Sequence, residues 1–119
     1  MVNHYETVFI LTPVLSDYQI KETVDYFRKI ITDNGGEIVH EEFWGMKTLA
    51  YPIQKKTTGY YQLFEFKASG DLIEKLELEY RRSEKILRFL TVKLDKYGIE
   101  YNERRRKKIQ EKQQNETKN

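Results

Sequence analysis

The sequence contains no cysteine and no apolar run approaching the length of a membrane-spanning helix. Without cysteine the chain can form no disulfide framework and can carry out no thiolate chemistry. A spanning helix needs about 20 mostly apolar residues, and the first residues alternate like a strand where a signal peptide would be apolar. Its 119 residues suit one domain. We therefore expect a single-domain protein located in the cytoplasm.

The chain is also poor in groups that catalysis or metal binding requires. Its two histidines are His4 and His40, and neither stands beside a serine that could act as a nucleophile. The Gly35-Gly36 pair is not followed by the lysine of a phosphate-binding loop. His40 and Glu42 would lie on one side of a strand, but two ligands are fewer than a metal site needs. We expect no enzyme activity, no cofactor and no metal.

Hydrophobic periodicity predicts six elements in the order β-α-β-β-α-β. Strands are expected at residues 4–12, 37–53, 59–67 and 86–94. The first helix should begin at Ser16, because its hydroxyl and the Gln19 side chain can satisfy each other's free backbone amides. It should end at Gly35 and Gly36, which tolerate positive φ. The second helix should begin at Ser69. The residues expected to face the core from the two helices are Ile20, Val24, Phe27 and Ile31, then Leu72, Ile73, Leu76 and Tyr80.

This order predicts an α+β fold of the ferredoxin-like type, a split βαβ arrangement. Because crossovers are right-handed, both helices should lie on one face of a four-stranded antiparallel sheet with the first and third strands central. We assign this domain to residues 1–95. Residues 96–119 form a basic C-terminal tail that has almost no apolar periodicity and is expected to stay disordered unless bound.

The other face of the sheet has no helix to cover it. An antiparallel strand with one wetted side normally alternates apolar and polar residues, yet the first and last strands are apolar on both sides. We therefore expect a partner on this face, either a protein or stacked bases. The alternative is a tolerant surface, since single exposed apolar side chains are common. The residues of the expected partner face are Val8, Ile10, Leu90 and Val92.

Positive charge is concentrated in the tail and at the rim of the predicted sheet. From Arg104 onward there are seven Lys or Arg against two Glu, whereas the preceding chain has 14 basic and 17 acidic residues. Cations along a rim suit contacts with a sugar-phosphate backbone, although each one alone is more commonly a solvated side chain. The candidate RNA-binding residues are Lys47, Lys55, Lys56, Arg81, Arg82, Arg88, Lys93, Arg104, Arg105, Arg106, Lys107 and Lys108.

Residues 45–66 predict a β-hairpin with aromatic arms and a basic turn at Lys55 and Lys56. Gly45 indicates a bulge or bend in the first arm. The second arm begins GYYQLF at Gly59 and matches the signature of RNA-recognition modules for two positions, but Gln62 stands where an aromatic residue belongs. Stacking of bases on the sheet in the manner of those modules is therefore not expected.

The same hairpin carries a resemblance to a known family. The run GMKTLAYPI from Gly45 to Ile53, followed by Lys55 and by Gly59-Tyr60-Tyr61, resembles the signature of the sixth protein of the bacterial small ribosomal subunit. The resemblance implies a ferredoxin-like domain without catalytic activity. It also implies binding to the central domain of 16S ribosomal RNA on the ribosome, as a heterodimer with the eighteenth small-subunit protein.

By position, the resemblance implies that Tyr5, Arg88 and Lys93 face RNA, and Lys47 stands where the family usually has a basic residue. Thr48 departs from the arginine common in the family, so no RNA contact is assigned to it. From the residues alone a second interpretation stays open, namely a ferredoxin-like regulatory or small-ligand domain that self-associates through its sheet.

Overall fold

The computed structural model describes residues 2–117 of the chain. The elements are β1 (Asn3–Leu11), α1 (Asp17–Asp33), β2 (Glu37–Ile53), β3 (Lys56–Ala68), α2 (Gly70–Arg82), β4 (Ile86–Leu94) and α3 (Lys96–Thr117). The strands form one sheet in the order β2-β3-β1-β4, and every neighbouring pair is antiparallel. The predicted ferredoxin-like fold is confirmed, with β1 and β3 at the centre.

Helix α1 begins and ends where its sequence predicts. The Gln19 amide donates to the Ser16 hydroxyl at 3.2 Å, and the Ser16 amide donates to the Gln19 side chain at 2.9 Å. At the other end Gly35 has a φ of +86°, a conformation that glycine adopts without steric cost. The Gly36 amide then donates to the Ile31 carbonyl at 2.8 Å. These local contacts therefore determine where α1 begins and ends.

An aromatic cluster joins α1 and α2 to one face of the sheet. The ring centroids of Phe27 on α1 and Tyr80 on α2 lie 4.7 Å apart, and Phe9 on β1 lies within 5.3 Å of both. Thr7 lies 3.1 Å from the Tyr80 hydroxyl, which gives this fully buried group a polar partner. Burial raises the pKa of Tyr80. The main aromatic core therefore lies between the helices and this side of the sheet.

The hairpin of β2 and β3 turns one residue earlier than the sequence indicated. Its turn residues are Gln54 and Lys55, both in the left-handed region with φ values of 51° and 67°, while Lys56 opens β3 and pairs with Ile53. The expected bulge is confirmed, because Gly45 has a φ of +75° at a shift in register. Lys55 at the tip is therefore basic and also has a left-handed backbone conformation, which is unfavourable for residues other than glycine.

The expectation that the tail stays disordered unless bound is wrong for its described part, because residues 96–117 form α3. Residues 118 and 119 lie outside the residues that the structure describes. Asp95 caps this helix, since its carboxylate accepts a 2.7 Å hydrogen bond from the Gly98 amide. The helix contacts the sheet through polar side chains, of which Asn102 is buried. Apolar periodicity could not predict this helix, because it contacts the sheet through the amide of Asn102 and the guanidinium groups of Arg105 and Arg106.

Candidate nucleic-acid and protein interface

The four residues predicted to face a partner all lie on the side of the sheet that α1 and α2 leave open. The register pairs Val8 with Leu90, and Glu6 with Val92, so these side chains share a face with Ile10. Leu90 and Val92 remain 65% and 41% exposed, although they are large apolar residues. We call Val8, Ile10, Leu90 and Val92 the apolar strip.

Aromatic side chains extend the apolar strip toward the β2 edge. Tyr61 pairs with Ile10 and therefore lies on the same face. The Trp44 ring stacks on Tyr61 with centroids 6.0 Å apart, and the Lys47 ammonium lies 5.1 Å from the Trp44 ring. Sequence reasoning missed Trp44, because the bulge at Gly45 shifts the alternation of β2 and hides which face each of its residues takes.

The part of the open face next to α3 is polar, although the first and last strands were expected to be apolar on both sides. Glu65 on β3 is 1% exposed. It accepts hydrogen bonds from His4 on β1 at 2.9 Å and from Asn102 on α3 at 2.8 Å, and Arg106 lies 3.3 Å away. Burial raises the pKa of this carboxyl, but the hydrogen bonds and the Arg106 charge outweigh burial and hold it below its usual value.

Two further contacts attach α3 to this polar part of the sheet. The Arg105 guanidinium donates to both carboxylate oxygens of Glu42, at 2.8 and 3.3 Å, and this pairing raises the pKa of Arg105. Asn102 also donates to Glu6 at 2.9 Å. The helix thereby supplies donors to three carboxylates of the strands, those of Glu6, Glu42 and Glu65.

The predicted histidine and acid pair on β2 lies at the edge of this polar part. The Nε2 atom of His40 lies 3.8 Å from Glu42 and has no hydrogen-bond partner. Among the side chains that the structure describes, those of residues 2–109, no group of three or more His, Asp or Glu is placed to hold a metal ion. Across residues 2–117 no helix has the length and apolar character that crossing a membrane requires.

Several of the predicted cations meet at one corner of the sheet. The end of α2, the start of β4 and Gln54 at the hairpin tip surround an open hollow of about 700 Å³. Three arginines line it, Arg81, Arg82 and Arg88, and the Arg81 guanidinium lies 5.7 Å from the Phe89 ring. Lys55 and Lys56 follow Gln54 directly in the chain. We call Lys55, Lys56, Arg81, Arg82 and Arg88 the basic corner.

The hairpin reaches this corner because glycine permits a close approach. A side chain at Gly59 would place its first carbon 2.4 Å from the Ile10 side chain and 3.2 Å from the Leu11 carbonyl oxygen. Arg88 pairs with Ile10 in the register of β1 and β4. The apolar strip and the basic corner are therefore continuous, and Arg88 belongs to the boundary between them.

A family profile described as Ribosomal protein S6 matches residues 4–93, from β1 to the end of β4. The chain belongs to the ribosomal protein S6 family. This family consists of structural ribosomal proteins and not of enzymes, so the predicted family and the predicted lack of enzyme activity are confirmed.

Relatives and a solved structure agree over most of the chain. A Phocaeicola vulgatus protein named small ribosomal subunit protein bS6 is 63% identical over 105 residues, which cover 88% of this chain and 92% of that protein. The Christiangramia forsetii protein of the same name is 58% identical over 111 residues, covering 93% and 99%. The crystal structure of 30S ribosomal protein S6 from Thermotoga maritima has a TM-score of 0.78 at 30% identity, covering 90% and 99%.

Within this S6 domain the structure separates the residues that the resemblance assigned to RNA. Tyr5 lies on the helix side of the sheet, is 8% exposed and stacks on Phe66 with centroids 5.8 Å apart. Its cross-strand partner Lys93 is exposed, but at the opposite end of β4 from the basic corner. Lys47 lies beside Trp44 at the β2 edge. Only Arg88 lies in the basic corner.

The five consecutive cations of α3 lie beyond the residues that the S6 profile matches, and the structure divides them. Arg105 and Arg106 are half-buried and engage carboxylates of the sheet. Arg104, Lys107 and Lys108 are exposed. The sequence could not show which of these cations contact the sheet, because that depends on how the helix lies on the sheet.

Proposed function

We propose that this ribosomal protein is a non-catalytic structural component of the bacterial small ribosomal subunit. In this role it binds the central domain of 16S ribosomal RNA in the cytoplasm as a heterodimer with the eighteenth small-subunit protein. Support comes from membership of the S6 family, from the apolar strip and from the basic corner. The observation that carries the proposal is the continuity of these two surfaces through Arg88.

The apolar strip supports a protein partner. Leu90 is 65% exposed at the centre of a face where Val8 and Ile10 are its cross-strand neighbours. Contiguous apolar patches rimmed by polar groups are typical of protein interfaces. Trp44 and Tyr61 add aromatic area of the kind that such interfaces favour. The eighteenth protein would cover this patch and remove it from water.

The basic corner supports an RNA contact next to that partner. Three of its cations, Arg81, Arg82 and Arg88, line an open hollow together with Glu84. The ion pairs of Arg81 with Glu77 and of Arg82 with Glu79 are long surface pairs of 3.4 and 3.8 Å. Such pairs contribute little and exchange readily for phosphate. A partner on the strip and RNA on the corner would meet at Arg88. RNA affinity should therefore increase when the partner is present.

The experiment is a titration of a central-domain fragment of 16S ribosomal RNA, with and without the eighteenth protein, at several salt concentrations. We expect tighter binding with the partner and a steep loss of affinity with salt. Arg81→Gln combined with Arg88→Gln should reduce the salt slope by about one for each lost phosphate contact. Lys21→Gln combined with Lys29→Gln is the matched control, because α1 contributes no residue to the lining of the hollow. Binding that ignores both salt and partner would contradict the proposal.

A further inference from the structure

Helix α3 has two distinct faces that the sequence of the tail does not reveal. At 3.6 residues per turn, Asn102, Arg105 and Arg106 lie on the side that contacts the sheet. Another set recurs at offsets of four, three and four, and its members lie within about 60° of one another around the axis. We call this set the tyrosine stripe: Tyr97, Tyr101, Arg104 and Lys108.

The tyrosine stripe faces solvent. Tyr97 and Tyr101 are 78% and 66% exposed, and the Arg104 side chain is 76% exposed. Only Arg104 has an ion-pair contact, at 3.7 Å to the exposed carboxylate of Glu100, and such a pair is weak in water. Packing within the described domain therefore does not explain why two exposed aromatic rings stand one helical turn apart.

Docking of the helix determines which cations remain available. Glu42 and Glu65 neutralise Arg105 and Arg106, so these arginines hold the helix in place. Arg104, Lys107 and Lys108 stay exposed, as does Lys96, whereas the acids of residues 96–109 are Glu100 and Glu103. The outward side of α3 therefore has net positive charge, which is complementary to a phosphate backbone.

We infer that the tyrosine stripe is a binding site for unpaired RNA nucleotides, an inference that rests on the proposed function and adds a second RNA contact to it. Bases unstacked from a helix bind flat aromatic side chains, and cations beside those rings bind the connecting phosphates. Tyr97 and Tyr101 supply the rings, and Arg104 and Lys108 supply the charges. A paired duplex offers no open base faces. The net positive charge beside the rings favours a polyanion over a protein partner.

The test uses the full chain and two probes, an unstructured oligouridine of about 12 nucleotides and the central-domain fragment of 16S ribosomal RNA. Tyr97→Ala combined with Tyr101→Ala should weaken oligouridine binding about tenfold or more, because each stacked base contributes substantially. Tyr97→Phe combined with Tyr101→Phe keeps the rings and should bind nearly as the unchanged chain does. Tyr18→Ala removes a ring that is 74% exposed on α1 and should have no effect.

A second readout addresses the cations. Replacing Arg104 and Lys108 by glutamine should reduce the dependence of log affinity on log salt by about 0.7 for each lost contact with single-stranded RNA. The control replaces Lys21 and Lys29 on α1 by glutamine. Circular dichroism should show unchanged helix content in every variant, since all of these side chains are exposed.

The outcomes separate the inference from the proposed function. Equal oligouridine affinity for the unchanged chain and the double alanine variant would overturn the inference, while salt-dependent binding of the ribosomal fragment would leave the proposed function standing. Ring-dependent oligouridine binding without any binding of the ribosomal fragment would support the stripe and contradict the proposed function. Loss of affinity for a protein partner alone in the alanine variant would also overturn the inference.

Discussion

The buried carboxylate of Glu65 on β3 accepts a 2.8 Å hydrogen bond from the amide of Asn102 on α3. This contact links a central strand of the S6 domain to a helix that the family profile does not cover. It also divides the open face of the sheet. One part is closed by the chain's own C-terminal helix, and the apolar strip is left for a partner.

Asn102→Ala should destabilise the domain by about 1–3 kcal/mol, because it removes the amide that donates to Glu6 and to the buried Glu65. Urea unfolding measures the loss, and hydrogen exchange of α3 amides should show faster opening of the helix. Glu103→Ala changes an exposed neighbour on the same helix and should be almost neutral. Equal stability of the two variants would show that the polar contacts do not hold α3.

Acidification should weaken the domain through Glu65. Its pKa is held below the ordinary value in the folded state. Ionised Glu65 therefore favours folding above the unfolded pKa of about 4.3, and this contribution is lost as pH falls through the folded pKa. Thermal midpoints measured between pH 6 and pH 3, a range of about three units around that value, should fall more steeply for the unchanged chain than for Glu65→Gln. Parallel profiles would contradict this assignment.

Lys55→Gly should stabilise the domain by a few tenths to about 1 kcal/mol. The left-handed region costs a non-glycine residue about 1 kcal/mol or more, and glycine avoids this cost while losing some unfolded-state entropy. Lys56→Gly lies in extended β3 and should instead destabilise by about 0.5–1 kcal/mol. Denaturant midpoints distinguish the two. Both changes should weaken RNA binding slightly, because each removes a cation of the basic corner.

Phe27→Ala should cost about 3–5 kcal/mol by opening a cavity between Phe9 and Tyr80. Tyr18→Ala on the exposed side of the same helix is the control and should change stability little. Calorimetry or urea unfolding gives both values. A small loss for Phe27→Ala would mean that the aromatic cluster repacks easily.

Arg88→Ala should weaken RNA association by about 1 kcal/mol or less if the guanidinium contacts only phosphate. Folding should be intact, because this side chain is exposed. Filter binding at two salt concentrations and a thermal melt measure the two effects. A melted domain would instead identify Arg88 as a packing residue.

The sequence predicted those parts of the structure that local rules determine. Ser16, Gln19 and the glycines at 35 and 36 specify the ends of α1, and alternating apolar residues specify the strands and hence the fold. The shared face of Val8 and Leu90 follows from the same alternation. Positions that depend on contacts between distant residues could not be read in this way.

Two examples show the limit. Asn102 and Glu65 are 37 positions apart, and nothing in either local sequence indicates that one buries the other, so α3 was expected to be disordered. Tyr5 alternates as a strand residue should, yet only the position of α1 and α2 shows that its ring lies in the core. Propensity and charge therefore predicted the scaffold and several cations, whereas the division of the cations into docking and exposed groups required the structure.

Sedimentation of the chain alone and mixed with the eighteenth small-subunit protein tests the central claim most directly. We predict a monomer alone and a one-to-one complex in the mixture. Leu90→Asp in the apolar strip should abolish the complex, while Leu78→Asp, an exposed leucine on α2, should leave it intact. A stable homodimer closed through the strip, or a complex indifferent to Leu90→Asp, would contradict the account.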